Sequence, residues 1–365
     1  MTKGESCQRP WMAAAVEAWR TFWFRPQPAY TLGLVRMAFG AVAIGWTVSL
    51  LPDLYQLFGP HGVEPQQRWG AFHWGVFAIW TSDRALTIGW AVLLVSSVAL
   101  MIGWHSRLAA LAVFVLIYSF EYRDVWVFNS GDVAVRIEAL FLALSPCGAA
   151  LSLDQVRNSG KFWSAQQRAQ WPVRLMQIQL SLMYLASVQA KLNGTTWPQG
   201  TAVSYALRLQ DMLLLPMPNW LTNSALLMNA ATWGILAVEL SIAILVWNRR
   251  LRPWVLGAGV VMHTMIMITI TVGFFTLAVF VLYLAFIPPE TVQRLPRSTK
   301  RMAKKLALPL HHRRPSTQPR SGDPESAEPP GVVGEDSDGS PRKPRISVDD
   351  SVRGDRANAV ESGER

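Results

Sequence analysis

The 365-residue chain is poor in charge and in cysteine. Asp, Glu, Lys and Arg make up 16% of it, against about 25% in an average soluble domain. The deficit is uneven. From about Thr31 to Pro288 charges are sparse, and apolar stretches approaching the length of a bilayer span recur. Only two cysteines occur, Cys7 and Cys147. They form no CxxC pair and imply no disulfide framework, which argues against a thiol-based quinone oxidoreductase. After Pro288 there is no Phe, Trp or Tyr. That stretch of Pro, Ser, Gly, Asp, Glu and Arg cannot bury enough apolar surface to offset its ordering entropy, and disorder is expected there. A phosphate loop, a Cys/His zinc pattern and a Gly-x-Ser-x-Gly elbow are all missing, so no metal and none of the usual soluble catalytic sites is predicted. The two halves share no motif of the kind that marks a transporter repeat, and no secretory signal pattern is legible.

What the chain does have is apolar and aromatic: 51% hydrophobic residues and 17 Trp. Eight segments read as spans, near Thr31–Leu51, Ala85–Ile102, Arg107–Phe120, Val133–Leu151, Pro172–Ala190, Asn229–Trp247, Pro253–Thr271 and Gly273–Pro288. Almost nothing joins the last two, so seven spans with one long helix is the alternative. Upstream, "WMAAAVEAWRTFWF" places Trp11, Ala15, Trp19 and Phe22 on one helical face, suited to a helix lying in the membrane interface. The fold class expected is an all-α integral membrane protein: an interfacial region over 1–30, a membrane domain over 31–288 and a basic, then disordered, tail over 289–365.

Lysine and arginine set the orientation. With the N-terminus cytoplasmic, that side holds Lys3, Arg9, Arg20, Arg25, Arg107, Arg157, Lys161, Arg168, Arg249, Arg250, Arg252 and the basic start of the tail. The outer loops hold Arg68, Arg84, Arg123, Lys191 and Arg208. Both termini are therefore expected in the cytoplasm and the protein in the cell membrane. Trp74, Trp80, Trp104, Trp126, Trp171, Trp197, Trp247 and Trp254 fall near span ends, as an aromatic belt requires. The net charge of +10 owes much to "RLPRSTKRMAKK", which beside a membrane reads as an anchor to anionic lipid and not as a nucleic-acid site.

The residues a bilayer should reject are the candidates for function: Arg36, Arg136, Glu138, Arg174, Gln177, Gln179, Lys191, Glu239 and His263. Arg174, Gln177, Tyr184 and Lys191 recur at helical spacing and form a polar stripe ending at Lys191. Each has a plainer role open to it. Arg36, Arg174 and Lys191 lie near span ends and could snorkel to the interface. Arg136 and Glu138, two apart, do not face each other and should each find a partner on another helix. His263 could be an interhelical hydrogen-bonder. Glu239 could be neutral, or paired with His263 or an arginine.

Four stretches carry a resemblance: "LGLVRMAFGAV"; "FLALSPCGAALSLD"; "WPVRLMQIQLSLMYLASVQAKLNGTTWPQGTAVSYAL"; and "VELSIAIL" followed by "VMHTMIMITITVGFFTLAVFVLYLAFIP". In their order and spacing they resemble the HTTM (horizontally transferred transmembrane) domain family, the bacterial relatives of the membrane region of vitamin K-dependent gamma-carboxylase. The resemblance implies a quinol-dependent enzyme. Lys191, in the Lys-Leu…Trp-x-x-Gly stretch with Trp197 and Gly200, matches the carboxylase lysine that acts as base on reduced vitamin K. His263 matches a histidine of the penultimate span, and Glu239 belongs to the preceding motif. The implied partners are the lipid bilayer and a lipid-soluble quinol such as menaquinol, with oxygen and carbon dioxide as co-substrates. A lysine works as a base near neutral pH only where an apolar pocket disfavours its charged form. Where the carboxylase places a histidine at the start of the fourth span, this chain has Asn129 and Asp132. "AVSYALRLQDMLLLP" reads as an amphipathic helix that, with "MPNWLTNSALL", could lie as a lid over Lys191. Two other readings stay open: a transporter or lipid-handling protein using the same polar stripe, and a non-catalytic scaffold whose tail recruits a cytoplasmic protein.

Overall fold

The computed structural model describes residues 10–63, 74–215 and 217–295. Cys7, Arg68 and the tail beyond 295 lie outside them. The described residues fall in one compact unit, and it is helical. The chain runs α1 (Pro10–Phe24), strand β1 (Pro26–Pro28), α2 (Tyr30–Ser49), α3 (Leu54–Phe58), α4 (Val76–Ile79), α5 (Asp83–Ile102), α6 (Ser106–Arg123), α7 (Ser130–Leu144), α8 (Leu153–Ser159), strand β2 (Gln167–Ala169), α9 (Trp171–Leu192), α10 (Ala202–Ala206), α11 (Asn219–Thr222), α12 (Ala225–Leu245), α13 (Arg252–Thr269) and α14 (Phe275–Leu284). A last helix, α15 (Pro289–Leu295), turns 98° away from α14.

Each of the eight apolar segments is a helix, and local chemistry explains where they stop. Ser82 caps α5 by accepting from the Ala85 N–H, and Gly103 ends it in the left-handed conformation at φ 75°. Asn129 and Asp132 form a reciprocal capping box at the start of α7. Pro172 and Pro253 sit in the first turns of α9 and α13, where a missing N–H costs nothing. The last two segments are not one long helix. Ile270 is extended and bridges Leu213, and Gly273 takes φ 59° before α14 begins.

The helices bury one stripe each. Val35, Phe39, Ala43 and Trp46 of α2 meet Leu86, Leu93 and Leu100 of α5; Val113, Ile117 and Phe120 of α6 meet Val135, Ala139 and Leu142 of α7. α14 packs against α2, α7 and α9, and α12 packs against α9 and α13. The opposite stripes are apolar too, yet exposed: Ile88, Val92 and Val95 on α5, Leu226, Trp233 and Leu240 on α12, Val261, Met265 and Ile268 on α13. Apolar faces of this extent need lipid or another protein to cover them. By length and composition α2, α5 and α12 can each cross a bilayer, and α14 with α15 makes a fourth, broken candidate. α7 has 15 residues and α14 has 10, short of the roughly 20 a straight crossing takes.

Two further expectations change. The amphipathic helix after Gly200 is not continuous. It breaks into α10, a 3₁₀ turn at Gln210–Met212 and α11, because Met212 and Leu214 exchange backbone hydrogen bonds with Thr271 and Thr269 at the end of α13. Arg36 does not snorkel. It is fully buried, and its guanidinium donates to the carbonyls of Leu100, Met101 and Leu151.

Candidate functional site

α9 carries the stripe that organises the site. Tyr184, Ser187 and Lys191 stand three and four residues apart on one face, and that face meets α12, α13 and α14. Lys191 Nζ forms an ion pair with Glu239 Oε1 of α12. It also donates to Ser187 Oγ at 3.0 Å, and Ser187 Oγ donates to Glu239 Oε2 at 3.2 Å. Lysine, serine and glutamate thus close a hydrogen-bonded ring between two helices. The ammonium lies 4.8 Å from the centre of the Trp197 ring, a cation–π distance. Trp197 reaches it from the turn after α9. Gly200 ends that turn at φ 73°, hard against the Asn229 side chain, so a side chain there would be both strained and crowded.

Two turns before Lys191 on α9, Tyr184 joins two more helices. Its hydroxyl lies 2.7 Å from His263 Nε2 of α13 and 2.6 Å from the Tyr283 hydroxyl of α14. Gly259 makes room: a Cβ there would collide with the Tyr283 hydroxyl. His263 is buried among Phe275, Phe280 and Tyr283, and its Nδ1 has no hydrogen-bond partner among the described residues. Lys191 is within electrostatic reach of His263, and Glu239 of both tyrosines. The two clusters form one polar island. Ser187 and Tyr283 were not foreseen. Ser187 occupies the foreseen stripe, whereas Tyr283 sits in an apolar run with no spacing signal.

The other expected residues lie elsewhere. Arg174 donates to Gln177 Oε1 at 2.9 Å, and Gln177 donates to the Ala285 carbonyl at 2.7 Å. Both sit near the opposite end of α9. Asn129 and Asp132 cap α7, and Asp132 Oδ1 accepts from the Trp46 indole at 2.8 Å. The carboxylate beside Lys191 is Glu239, which pairs with neither His263 nor an arginine. Arg136 does find its partner on another helix, Glu121 of α6, and stacks near Tyr118 and Tyr122. Both Glu138 carboxyl oxygens are buried without a hydrogen-bond partner among the described residues. Among the described residues no group of three or more His, Cys, Asp or Glu could hold a metal ion.

The motif stretches "LGLVRMAFGAV" and "FLALSPCGAALSLD" meet away from this island. Leu151, at φ 50°, offers its carbonyl to Arg36. Asp154 accepts from the backbone N–H of His105 and Ser106 and from the Ser106 hydroxyl, at 2.7 to 2.9 Å, and so caps α6. The model of the HTTM domain matches residues 24–290, from the end of α1 into α15. The chain belongs to the HTTM domain family. The match takes in the Arg36–Asp154 hub and the Lys191 island of this HTTM domain alike. No curated protein and no solved structure matches the chain.

Proposed function

We propose that this HTTM protein is a membrane enzyme that abstracts a proton from a lipid-soluble, quinol-type hydroxyl, with Lys191 as the base. We read α2, α5, α6, α7, α9, α12, α13 and α14 as spans and place both termini in the cytoplasm, on the lysine and arginine bias of the loops, which puts Lys191 at the outer face. The observation that carries the reading is the Lys191–Glu239 pair closed by Ser187, set beside Tyr184, His263 and Tyr283. A neighbouring carboxylate favours the ammonium form of a lysine, and an ammonium is no base. The hydrogen bond between them provides the remedy: Nζ passes a proton to Glu239 Oε1 and becomes a free amine, which then takes a proton from the substrate hydroxyl. Trp197 covers the ammonium while it is charged. The Tyr184–His263 pair keeps a second proton path beside the first.

The surroundings suit a quinol. Lys191, 21% exposed, is the member of the island that a quinol hydroxyl could reach, whereas His263 is buried behind it among aromatic rings. A bound quinol would supply the acidic hydroxyl and, with oxygen, reducing equivalents; carboxylation of a glutamate with carbon dioxide is the reaction to assay. The test has two readouts. In purified protein, a menaquinol analogue should protect Lys191 from an amine reagent, with Lys191→Arg as the blank, and Lys191→Ala should lose turnover while staying folded. Full turnover in Lys191→Ala would sink the proposal.

A second reading rests on the polar stripe running along α9 from Arg174 to Lys191: passage of a lipid or solute. Flux into vesicles that is lost in Glu239→Gln, with no turnover of any quinol, would favour it.

A further inference from the structure

At the other end of the bundle the first turns of α9 and α13 meet the segments that follow α12 and α14. Arg174 and Lys191 are separated by 191 − 174 = 17 residues of α9, about 25 Å at about 1.5 Å per residue. A cavity of about 940 Å³ opens there, beside the β1–β2 ribbon and the first turns of α9 and α13. Four arginines line it, Arg168, Arg174, Arg249 and Arg252, against one carboxylate, Glu290. Trp247, Leu256 and Phe286 supply an apolar wall.

The arginines come from separate elements, and the fold brings them together. The antiparallel pairing of β1 with β2 sets Gln27 opposite Arg168. Arg174 is held over the Phe22 ring at 4.7 Å and spends Nη1 on Gln177, while its buried Nε has no partner among the described residues. Arg252 spends Nε on the Val246 carbonyl and stands 5.4 Å from the Phe286 ring centre. Arg174, Arg249 and Arg252 are close enough to repel one another. Among the described residues no acid forms an ion pair with any of the four. Like charges gathered in a partly desolvated cavity are costly, and an anion relieves them. α9 and α13 add the positive ends of their dipoles to the same space.

We propose that this cavity is a phosphate-binding site, separate from the Lys191 island, with Arg174 and Arg252 as its inner ligands and Arg249 and Arg168 at its mouth. Guanidinium groups match phosphate oxygens in forked geometry, and several around one group suit a multiply charged tetrahedral anion. Two sources carry that group: the headgroup of an anionic phospholipid, its chain laid on Trp247, Leu256 and Phe286, or free phosphate. The proposal does not depend on the chemistry at Lys191.

The test uses the full chain in an uncharged detergent. Phosphatidylglycerol and phosphatidylcholine are titrated and counted by native mass spectrometry, and thermal unfolding is followed with inorganic phosphate. Arg174→Gln is expected to weaken phosphate binding about tenfold, the value of one hydrogen bond to a charged group. Arg249→Gln guards against misfolding, because Arg249 is exposed; Arg157→Gln, on α8, is the control. Phosphatidylglycerol retained by the wild type and lost in the first two variants, without a response to inorganic phosphate, supports a lipid site. Stabilisation by inorganic phosphate that both variants lose supports a free-phosphate site. If folded Arg174→Gln and Arg249→Gln bind both probes as the wild type does, the proposal is overturned.

Discussion

A lysine and a glutamate facing each other between two helices can hold the fold together and still move a proton. In the Lys191–Glu239 pair the side chains are 21% and 7% exposed. Removing one partner of a buried pair leaves an uncompensated charge and costs roughly 3–5 kcal/mol, whereas removing both is often near neutral. Lys191→Met and Glu239→Gln should therefore each lower the unfolding temperature, and Lys191→Met/Glu239→Gln should recover much of the loss. If the double variant is folded but inactive, the pair's chemical role separates from its structural one. On turnover, Glu239→Gln should cost about 10² to 10⁴, the usual contribution of a positioned proton-transfer group. Glu138 makes the contrasting case. It is fully buried, and its carboxyl oxygens find no partner among the described residues. With no partner for that carboxyl among the described residues, Glu138→Met, close in volume, should unfold at the same temperature as the wild type or higher. A lower temperature by several degrees would show that the carboxyl has a partner of its own.

Between elements, side-chain hydrogen bonds tie α2, α5, α6 and α8 together. Arg36 ties the end of α5 to Leu151, and Asp154 caps α6 from the next turn of chain. Burial opposes the charged form of Asp154, but the bonds from Ser106 and His105 outweigh it and hold the carboxyl below its ordinary range. A carboxyl with a lowered folded value stabilises the fold above its unfolded value, about 3.9. That stability is lost as pH falls through the folded value. Asp154→Ala should cost about 1 kcal/mol at neutral pH, as a lost helix cap does. The difference from wild type should vanish in acid, which thermal unfolding across pH would check. By its position near a span end, Arg36 suits snorkelling to the interface. Only the approach of the α5 carbonyls, 64 residues downstream, turns it into a buried clamp. Asp154 was visible as part of a motif, but the helix it caps lies 48 residues upstream, beyond any local pattern.

At the scale of the whole molecule, the apolar faces of α5, α12 and α13 point outward, so lipid is the natural solvent for this bundle. Short α7 and α14 can still belong to it where their ends lie among protein and not in hydrocarbon. A topology experiment settles the arrangement. Single cysteines replacing Lys161 and Trp126, in a Cys7→Ser/Cys147→Ser background, should react with an impermeant reagent from opposite sides of the membrane. Reaction of both from one side would refute the eight-span reading. The tail beyond residue 300 should be dispensable for turnover if the enzyme reading is right, and its removal should abolish function if the protein is a scaffold.

The helices were legible because each is a local event: an apolar run with a cap, a proline or a glycine at its end. The polar stripe on α9 was legible for the same reason, since residues three, four and seven apart share a face by backbone geometry alone. What local pattern could not contain was partnership. Lys191 meets Glu239 48 residues away, Tyr184 meets His263 at 79 and Tyr283 at 99. Arg174 gathers with Arg249 and Arg252 across the bundle. Those meetings follow from which apolar stripe packs on which, a choice made by the complementary shapes of whole helices in the folded bundle.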